Sequence, residues 1–284
     1  MVAPLVLRRQ IDVVFVHMVP LYAILAAPWA KLRRVPMVMW YTHKSVNWKL
    51  KLAHGLVDRV VTASAESFRL PSDKVVVTGH GINTDVFKPV EDAHPEHPFT
   101  VLSVGRISPI KDYETLIEAA DILVNQHGQR SLRFVVVGDA GTPEQVAYRE
   151  QLVAEIQQRG LASNFELEGA VPYRRVVDYC QQADLSVNLC PTGGLDKAVL
   201  EAMACGVVPI TSNRAFEPLL GQQTERLMFR ESDPVDLARA VEWVAGMSPD
   251  QRQALGLALR ERVEREHSVE RLMEQLAALF SIRF

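Results

Sequence analysis

From residue 100 to residue 210 the chain alternates short runs rich in Val, Ile and Leu with segments of helix length, and this alternation constrains the fold most. Residues 100–104, 133–137, 165–167, 185–189 and 207–210 read as strands, and 112–127, 143–159, 174–182 and 196–204 as the helices between them. A strand with one wet face alternates apolar and polar residues. Runs that are mostly apolar need cover on both faces, which predicts a parallel, doubly wound α/β sheet. Such sheets bind ligands in the loops leaving the carboxyl ends of their strands. Upstream, residues 13–16, 37–41, 59–62 and 74–78 are further short apolar runs, with helical stretches between the first three. Residues 88–98 hold three prolines among acidic residues and histidines and read as a linker. Residues 233–245, 249–266 and 269–280 form a helical tail.

A length of 284 residues suits one large or two medium domains. The net charge of -3 argues against a dedicated nucleic-acid binder. The charge is uneven: the first 90 residues hold 12 Lys and Arg against 5 Asp and Glu, and the remainder 19 against 29. A basic first part suits phosphates or an anionic membrane surface; a solvated basic face is the plainer reading. Residues 13–30 carry no formal charge, yet Pro20 and Pro28 interrupt them and His17 lies inside. They read as a buried strand followed by a helix with Pro20 at its first position, rather than as a membrane span. No signal peptide is evident. Cys180, Cys190 and Cys205 show no metal-ligand spacing and suit free buried thiols in a reducing compartment.

The loops at the strand ends carry the chemistry. A glycine-bearing loop with Gly193, Gly194 and Leu195 runs into a helix opening near Asp196, with Lys197 and Glu201 on it. Backbone N–H groups and the helix dipole favour phosphates there, and a carboxylate one turn in can accept hydrogen bonds from ribose hydroxyls. An ordinary α/β connection with a surface Glu is the alternative. After the strand at 100–104, Gly105 permits close backbone approach, and Arg106 and Lys111 can set two cations over a diphosphate or stand as solvated surface charges. Asp112 reads as the N-cap of the next helix. Gly138 and Gly141 line a second strand end. Neither a Walker A pattern nor a GxGxxG fingerprint after the first strand is present, against a P-loop ATPase or a classical NAD enzyme. Gly79 and Gly81 bracket His80 in a tight turn near a ligand or in a plain loop, and His43 follows the strand at 37–41 in a similar setting, substrate-facing or structural.

Taken together, these motifs resemble the GT-B glycosyltransferases of the retaining family 4 type, the glycosyl transferases group 1. The resemblance runs from about Asp12 to the C-terminus and is strongest over residues 78–89, 101–112, 135–138 and 185–212. It implies two Rossmann-like, doubly wound domains: an acceptor-side domain over 1–90, a sugar-nucleotide domain over 91–266, and a last helix over 267–284 crossing back to the first. It implies a UDP- or GDP-sugar donor, a hydroxyl acceptor that a lipid could carry, no metal and no further cofactor. Arg106 and Lys111 resemble the diphosphate-binding cations. Glu201 resembles the ribose-binding second Glu of the E-x7-E motif, and His43 the N-domain histidine near the sugar. Gly105, Gly138, Gly193, Gly194, Leu195, Asp196 and Lys197 would complete the donor site. Polysaccharide or glycolipid assembly in the cytoplasm, at the inner face of the membrane, is the setting the family implies.

Two departures stand out. The first Glu of E-x7-E falls at Gly193, so Asp196 or Lys197 is expected to take over its hydroxyl contacts. Met1 enters partway through the family's N-terminal domain, which leaves that domain incomplete, with a sheet edge open to dimerisation. A catalytically incomplete sugar-nucleotide-binding or partner subunit is therefore the second reading. A nucleotide-sugar epimerase fits the region after Gly193 less well.

Overall fold

The computed structural model describes residues 11–90, 98–191 and 193–281. In chain order the elements are β1 (Val14–His17), α1 (Pro20–Arg33), β2 (Met37–Trp40), α2 (Trp48–Leu56), β3 (Arg59–Thr62) and β4 (Val75–Val77). There follow β5 (Thr100–Val104), α3 (Tyr113–Asp121), β6 (Arg133–Val137), α4 (Pro143–Gln158), β7 (Phe165–Gly169), α5 (Tyr173–Gln181), β8 (Leu185–Asn188), α6 (Lys197–Ala204) and β9 (Val208–Thr211). The chain ends in α7 (Glu217–Leu220), α8 (Thr224–Leu227), α9 (Pro234–Ala245), α10 (Pro249–His267) and α11 (Val269–Ser281). It divides into two compact units. The first holds the chain up to Gly81, Gly193–Leu195 and the chain from Glu266; the second holds Ile82–Thr192 and Asp196–Arg265.

In the first unit four parallel strands lie in the order β1-β2-β3-β4. Successive side chains of a strand point to opposite faces, and β2 shows what each face meets. Met37, Met39 and Tyr41 join the cluster holding Ala23, Ala26, Ala27 and Ala30 of α1 with Leu50 and Ala53 of α2. Val38 and Trp40 join the opposite cluster with Val61, Ala63 and, from α11, Leu276 and Leu279. Phe280 meets Phe15 of β1 edge-on, with ring centroids 5.7 Å apart. The last helix therefore covers the face of the sheet that α1 and α2 leave open. Burying Leu276 and Leu279 there contributes roughly 1.5–3 kcal/mol each. The uncharged stretch at 13–30 becomes β1 and the start of α1, with Pro20 in the first turn. Among the described residues no helix is long and apolar enough to cross a membrane.

The second unit holds five parallel strands in the order β7-β6-β5-β8-β9. Chain order reverses at β5, whose neighbours are β6 on one side and β8 on the other. This is the doubly wound arrangement, with its switch point between β5 and β8.

The structure corrects several local readings. The helix expected over 112–127 is α-helical only to Asp121; Ile122–Gln126 continues in wider turns, with the His127 amide donating to Ile122 O at 2.9 Å. Asp112 occupies the N-cap position in a left-handed conformation (φ 49°) but makes no capping bond. Its carboxylate accepts instead from Thr115 Oγ1 at 2.9 Å and Ser232 Oγ at 2.8 Å. The short helical turns between Arg214 and Leu227 follow no clear periodicity and were not expected. Cys180 and Cys205 are buried thiols, whereas Cys190 is partly exposed.

Candidate functional site

The loops after β5, β6 and β8 leave the sheet beside its switch point. Gly138, just past β6, has φ 141°, and a Cβ there would lie 1.9 Å from Gly105 O. Gly105 N donates to Val137 O and Gly138 N to Gly169 O, both at 2.9 Å. The ends of β5, β6 and β7 are thus joined backbone to backbone, which only a glycine at 138 permits. Lys111 folds over Gly105: a Cβ at 105 would lie 3.2 Å from Lys111 Cε. Tyr113 is buried beneath this turn and donates its hydroxyl to Gly105 O at 3.3 Å. Burial pushes that hydroxyl's pKa up to about 12.

Lys111 Nζ reaches Asp196 Oδ2 at 2.6 Å. Asn188, the last residue of β8, donates from Nδ2 to the same oxygen at 3.0 Å, and Thr211 Oγ1 of β9 donates to Asn188 Oδ1 at 3.2 Å. The other oxygen, Oδ1, accepts from Ala198 N at 3.2 Å and caps α6. Asp196 is thus both a helix cap and the counter-ion of Lys111. Arg106 is exposed, and among the described residues it has no ion pair.

Glu201 lies on α6 and is only 4% exposed. The Tyr173 hydroxyl donates to Glu201 Oε1 at 2.5 Å, and Lys197 Nζ stands 3.6 Å from the same oxygen. Burial raises the Glu201 pKa from its ordinary value, while Tyr173 and Lys197 pull it back. Tyr173 is wedged between Phe87, centroids 5.8 Å apart, and Lys197, whose Nζ lies 5.2 Å from its ring centroid. The alternative of a surface Glu is therefore not what the structure shows: Glu201 is a buried acceptor held under a tyrosine.

Other expected residues belong to the first unit. Gly193 has φ 116°. Gly194 lies so close to Ser67 that a Cβ would come within 1.8 Å of Ser67 Oγ. Leu195 O is 3.0 Å from His80 Nε2; a carbonyl only accepts, so that nitrogen carries the proton. His80 N donates in turn to Nδ1 of the buried His267 at 3.2 Å, and burial lowers the His267 pKa to about 4. His43 is exposed; its Nδ1 accepts from Ser45 N at 3.0 Å and its ring stands edge-on to Tyr41.

The second unit thus brings Gly105, Lys111, Gly138 and Asp196 together, with Lys197 opening α6 and Glu201 one turn along it. His43 and Gly193–Leu195 are counted in the first unit. Sequence reading missed Asn188, Tyr173, Ser67 and His267. Asn188 carries a faint signal, a polar residue ending an apolar strand. Tyr173 carries none, because its helix meets Glu201 only in the folded sheet.

Residues 86–262 match the family model described as Glycosyl transferases group 1. The chain is 28% identical over 166 residues to D-inositol 3-phosphate glycosyltransferase of Thermobispora bispora, covering 55% of this chain and 39% of that protein. It is 27% identical over 217 residues to the amylovoran biosynthesis glycosyltransferase AmsK of Erwinia amylovora, covering 74% of this chain and 51% of that protein. The chain thus spans about half or less of the length of these two relatives. Among solved structures, Anabaena HepE in complex with UDP and glucose superposes with a TM-score of 0.79 at 18% identity, covering 99% of this chain and 81% of that one. The fold is therefore that of the GT-B glycosyltransferases.

Proposed function

The chain belongs to the glycosyl transferases group 1 family, and from that premise we propose that it moves a sugar from a nucleotide-diphosphate donor to a hydroxyl acceptor, with retention of anomeric configuration. One observation carries this reading: Arg106 and Lys111 stand at the end of β5, with Lys111 tied to the residue that caps α6. The donor diphosphate takes the place of the Asp196 carboxylate on Lys111 and is gripped by Arg106. The amides opening α6 and its dipole add to the hold. The bond from the anomeric carbon to the diphosphate breaks, the acceptor oxygen bonds to the same face, and its proton passes to a phosphate oxygen of the leaving nucleotide. The two cations stabilise the charge that grows on the diphosphate, without a metal ion. Glu201 accepts from the ribose hydroxyls, with Tyr173 holding its carboxylate. Gly138 lines the donor in the second unit, and the first unit takes the acceptor.

HepE binds UDP and glucose, which makes uridine the first base to test. A lipid-linked acceptor at the inner face of the membrane suits the basic first part of the chain. Calorimetric titration with UDP and with GDP tests the reading: one nucleotide binds, and Glu201→Ala weakens it. Failure of both to bind a chain shown to be folded overturns it.

A second reading has a specific observation behind it. Position 193 has no carboxylate and Lys111 is already neutralised, which suits a sugar-nucleotide-binding partner protein without turnover. Nucleotide binding with no donor-sugar transfer or hydrolysis would favour it.

A further inference from the structure

Two tyrosine hydroxyls hold the ends of the loop that carries Lys111. At its start, Gly105 O accepts from the Tyr113 hydroxyl at 3.3 Å. At its end, Tyr113 N, the first amide of α3, donates to the Tyr148 hydroxyl at 3.2 Å. The first amides of a helix have no partners within it, and a side-chain oxygen just ahead of the helix normally takes one. Asp112 stands in that place, but its carboxylate is engaged by Thr115 and Ser232. The substitute comes from α4, 35 residues further along the chain. Tyr148, Leu152 and Ile156 recur one turn apart as the buried face of α4, and this face brings the Tyr148 ring to the start of α3.

A buried phenol that accepts from an amide needs an acceptor for its own proton. Tyr148 is only 5% exposed, and it donates to Glu114 Oε2, from the second residue of α3. Burial, with the Glu114 carboxylate beside it, pushes the Tyr148 pKa up, so the hydroxyl keeps its proton. One oxygen thus takes the Tyr113 amide, gives to Glu114, and fixes two successive residues of the first turn of α3. Tyr113 passes that placement on to Gly105, over which Lys111 folds: a Cβ at 105 would lie 3.2 Å from Lys111 Cε. We propose that Tyr148 is a positioning residue for Lys111, setting the loop after β5 through Tyr113 and Gly105. The inference rests on the proposed function for the diphosphate that Lys111 meets, and on these hydrogen bonds for the placement of the loop.

Tyr148→Phe in the 284-residue chain tests it, because it removes the oxygen and keeps the ring in the core. Amide hydrogen exchange reads the loop without any ligand. Exchange at Tyr113 and through the loop after β5 should quicken roughly fivefold, the scale of one lost hydrogen bond, while the amides of β6 hold their rates. Calorimetric titration reads the ligand. UDP affinity should fall roughly fivefold and UMP affinity, without the second phosphate, by less than about twofold. GDP and GMP replace them if guanine is the base. In a Lys111→Ala background the same substitution should change UDP affinity by less than about twofold, because its effect runs through that cation. Unchanged exchange at Tyr113 overturns the proposal. So do equal losses for UDP and UMP, which would mark a general loosening of the second unit, and full additivity with Lys111→Ala. If the parent chain binds neither UDP nor GDP, the proposed function falls, and exchange at Tyr113 still decides whether Tyr148 sets the loop.

Discussion

Lys111 Nζ lies 2.6 Å from Asp196 Oδ2, an oxygen that also accepts from Asn188 Nδ2 at 3.0 Å. The loop after β5 is thereby tied to the cap of α6 across the switch point of the sheet. A phosphate approaching Lys111 meets a carboxylate already there, so Asp196 acts as a gate on the cation. Asp196→Asn keeps an oxygen to cap α6 but removes the competing charge. UDP or GDP, whichever binds, should bind about fivefold more tightly to this variant by calorimetry, the scale of a partly exposed ion pair. Weaker binding would mean that the carboxylate itself contacts the ligand, as expected for a substitute for the missing Glu at 193.

Arg106→Ala combined with Lys111→Ala removes both cations from the end of β5. Charge-assisted hydrogen bonds are worth roughly 1.5–3 kcal/mol each, so nucleotide affinity should fall more than about 100-fold. Arg106→Ala alone should leave the melting temperature unchanged, because its side chain is exposed. Unchanged affinity in the double variant would remove the diphosphate from this loop.

Glu201→Gln separates binding from stability. Burial raises the Glu201 pKa, so the folded chain holds this proton more tightly than the unfolded chain. Its favourable contribution is full below the unfolded pKa and declines as pH rises through the folded one. The variant does not titrate, so its melting temperature should improve relative to the parent between about pH 4 and pH 7. Its nucleotide affinity should fall roughly tenfold, the worth of a charged acceptor to a ribose hydroxyl. Parallel melting curves at both pH values would show that Glu201 is not held in this desolvated state.

His267 works in the opposite sense. Its pKa is lowered from 6.5 to about 4, so the unfolded chain binds the proton first as pH falls. Stability is therefore lost between about pH 6.5 and pH 4, by roughly 3 kcal/mol at most. His267→Asn retains an acceptor for His80 N without the charge. Its melting temperature should vary less across that range than the parent's.

Gly138→Ala places a methyl group 1.9 Å from Gly105 O at φ 141°. It should destabilise the second unit by about 2–4 kcal/mol in denaturant unfolding and abolish nucleotide binding with it. Gly141→Ala meets only Gln145 Oε1, at 3.5 Å, and should change stability by less than about 0.5 kcal/mol. Similar losses in the two variants would mean that the backbone junction of β5 and β6 is not what requires Gly138.

The alternation of apolar runs with helical segments was enough to read the strands among the described residues, because a strand covered on both faces leaves a largely apolar signature; edge strand β7, where Glu166 and Glu168 alternate with apolar residues, is the exception. Arg59–Thr62, Thr100–Val104 and Arg133–Val137 appear with the bounds read from sequence. The expectations that failed were local competitions. Asp112 had several hydrogen-bond partners within reach, and Thr115 and the distant Ser232 won over the helix amides. The turns from Arg214 to Leu227 are set by packing rather than by periodicity.

The sequence by itself determined the alternation, the cations after β5, the glycines that let strand ends meet, and the carboxylate on α6. Each of these depends on neighbours within a few residues. Only the tertiary structure decided that Asp196 neutralises Lys111 from 85 residues away, that Tyr173 covers Glu201, and that the large residues of α1 face outward over its alanines. These are contacts between distant segments, and a side chain's partners there follow from strand order and helix rotation, which no local pattern encodes.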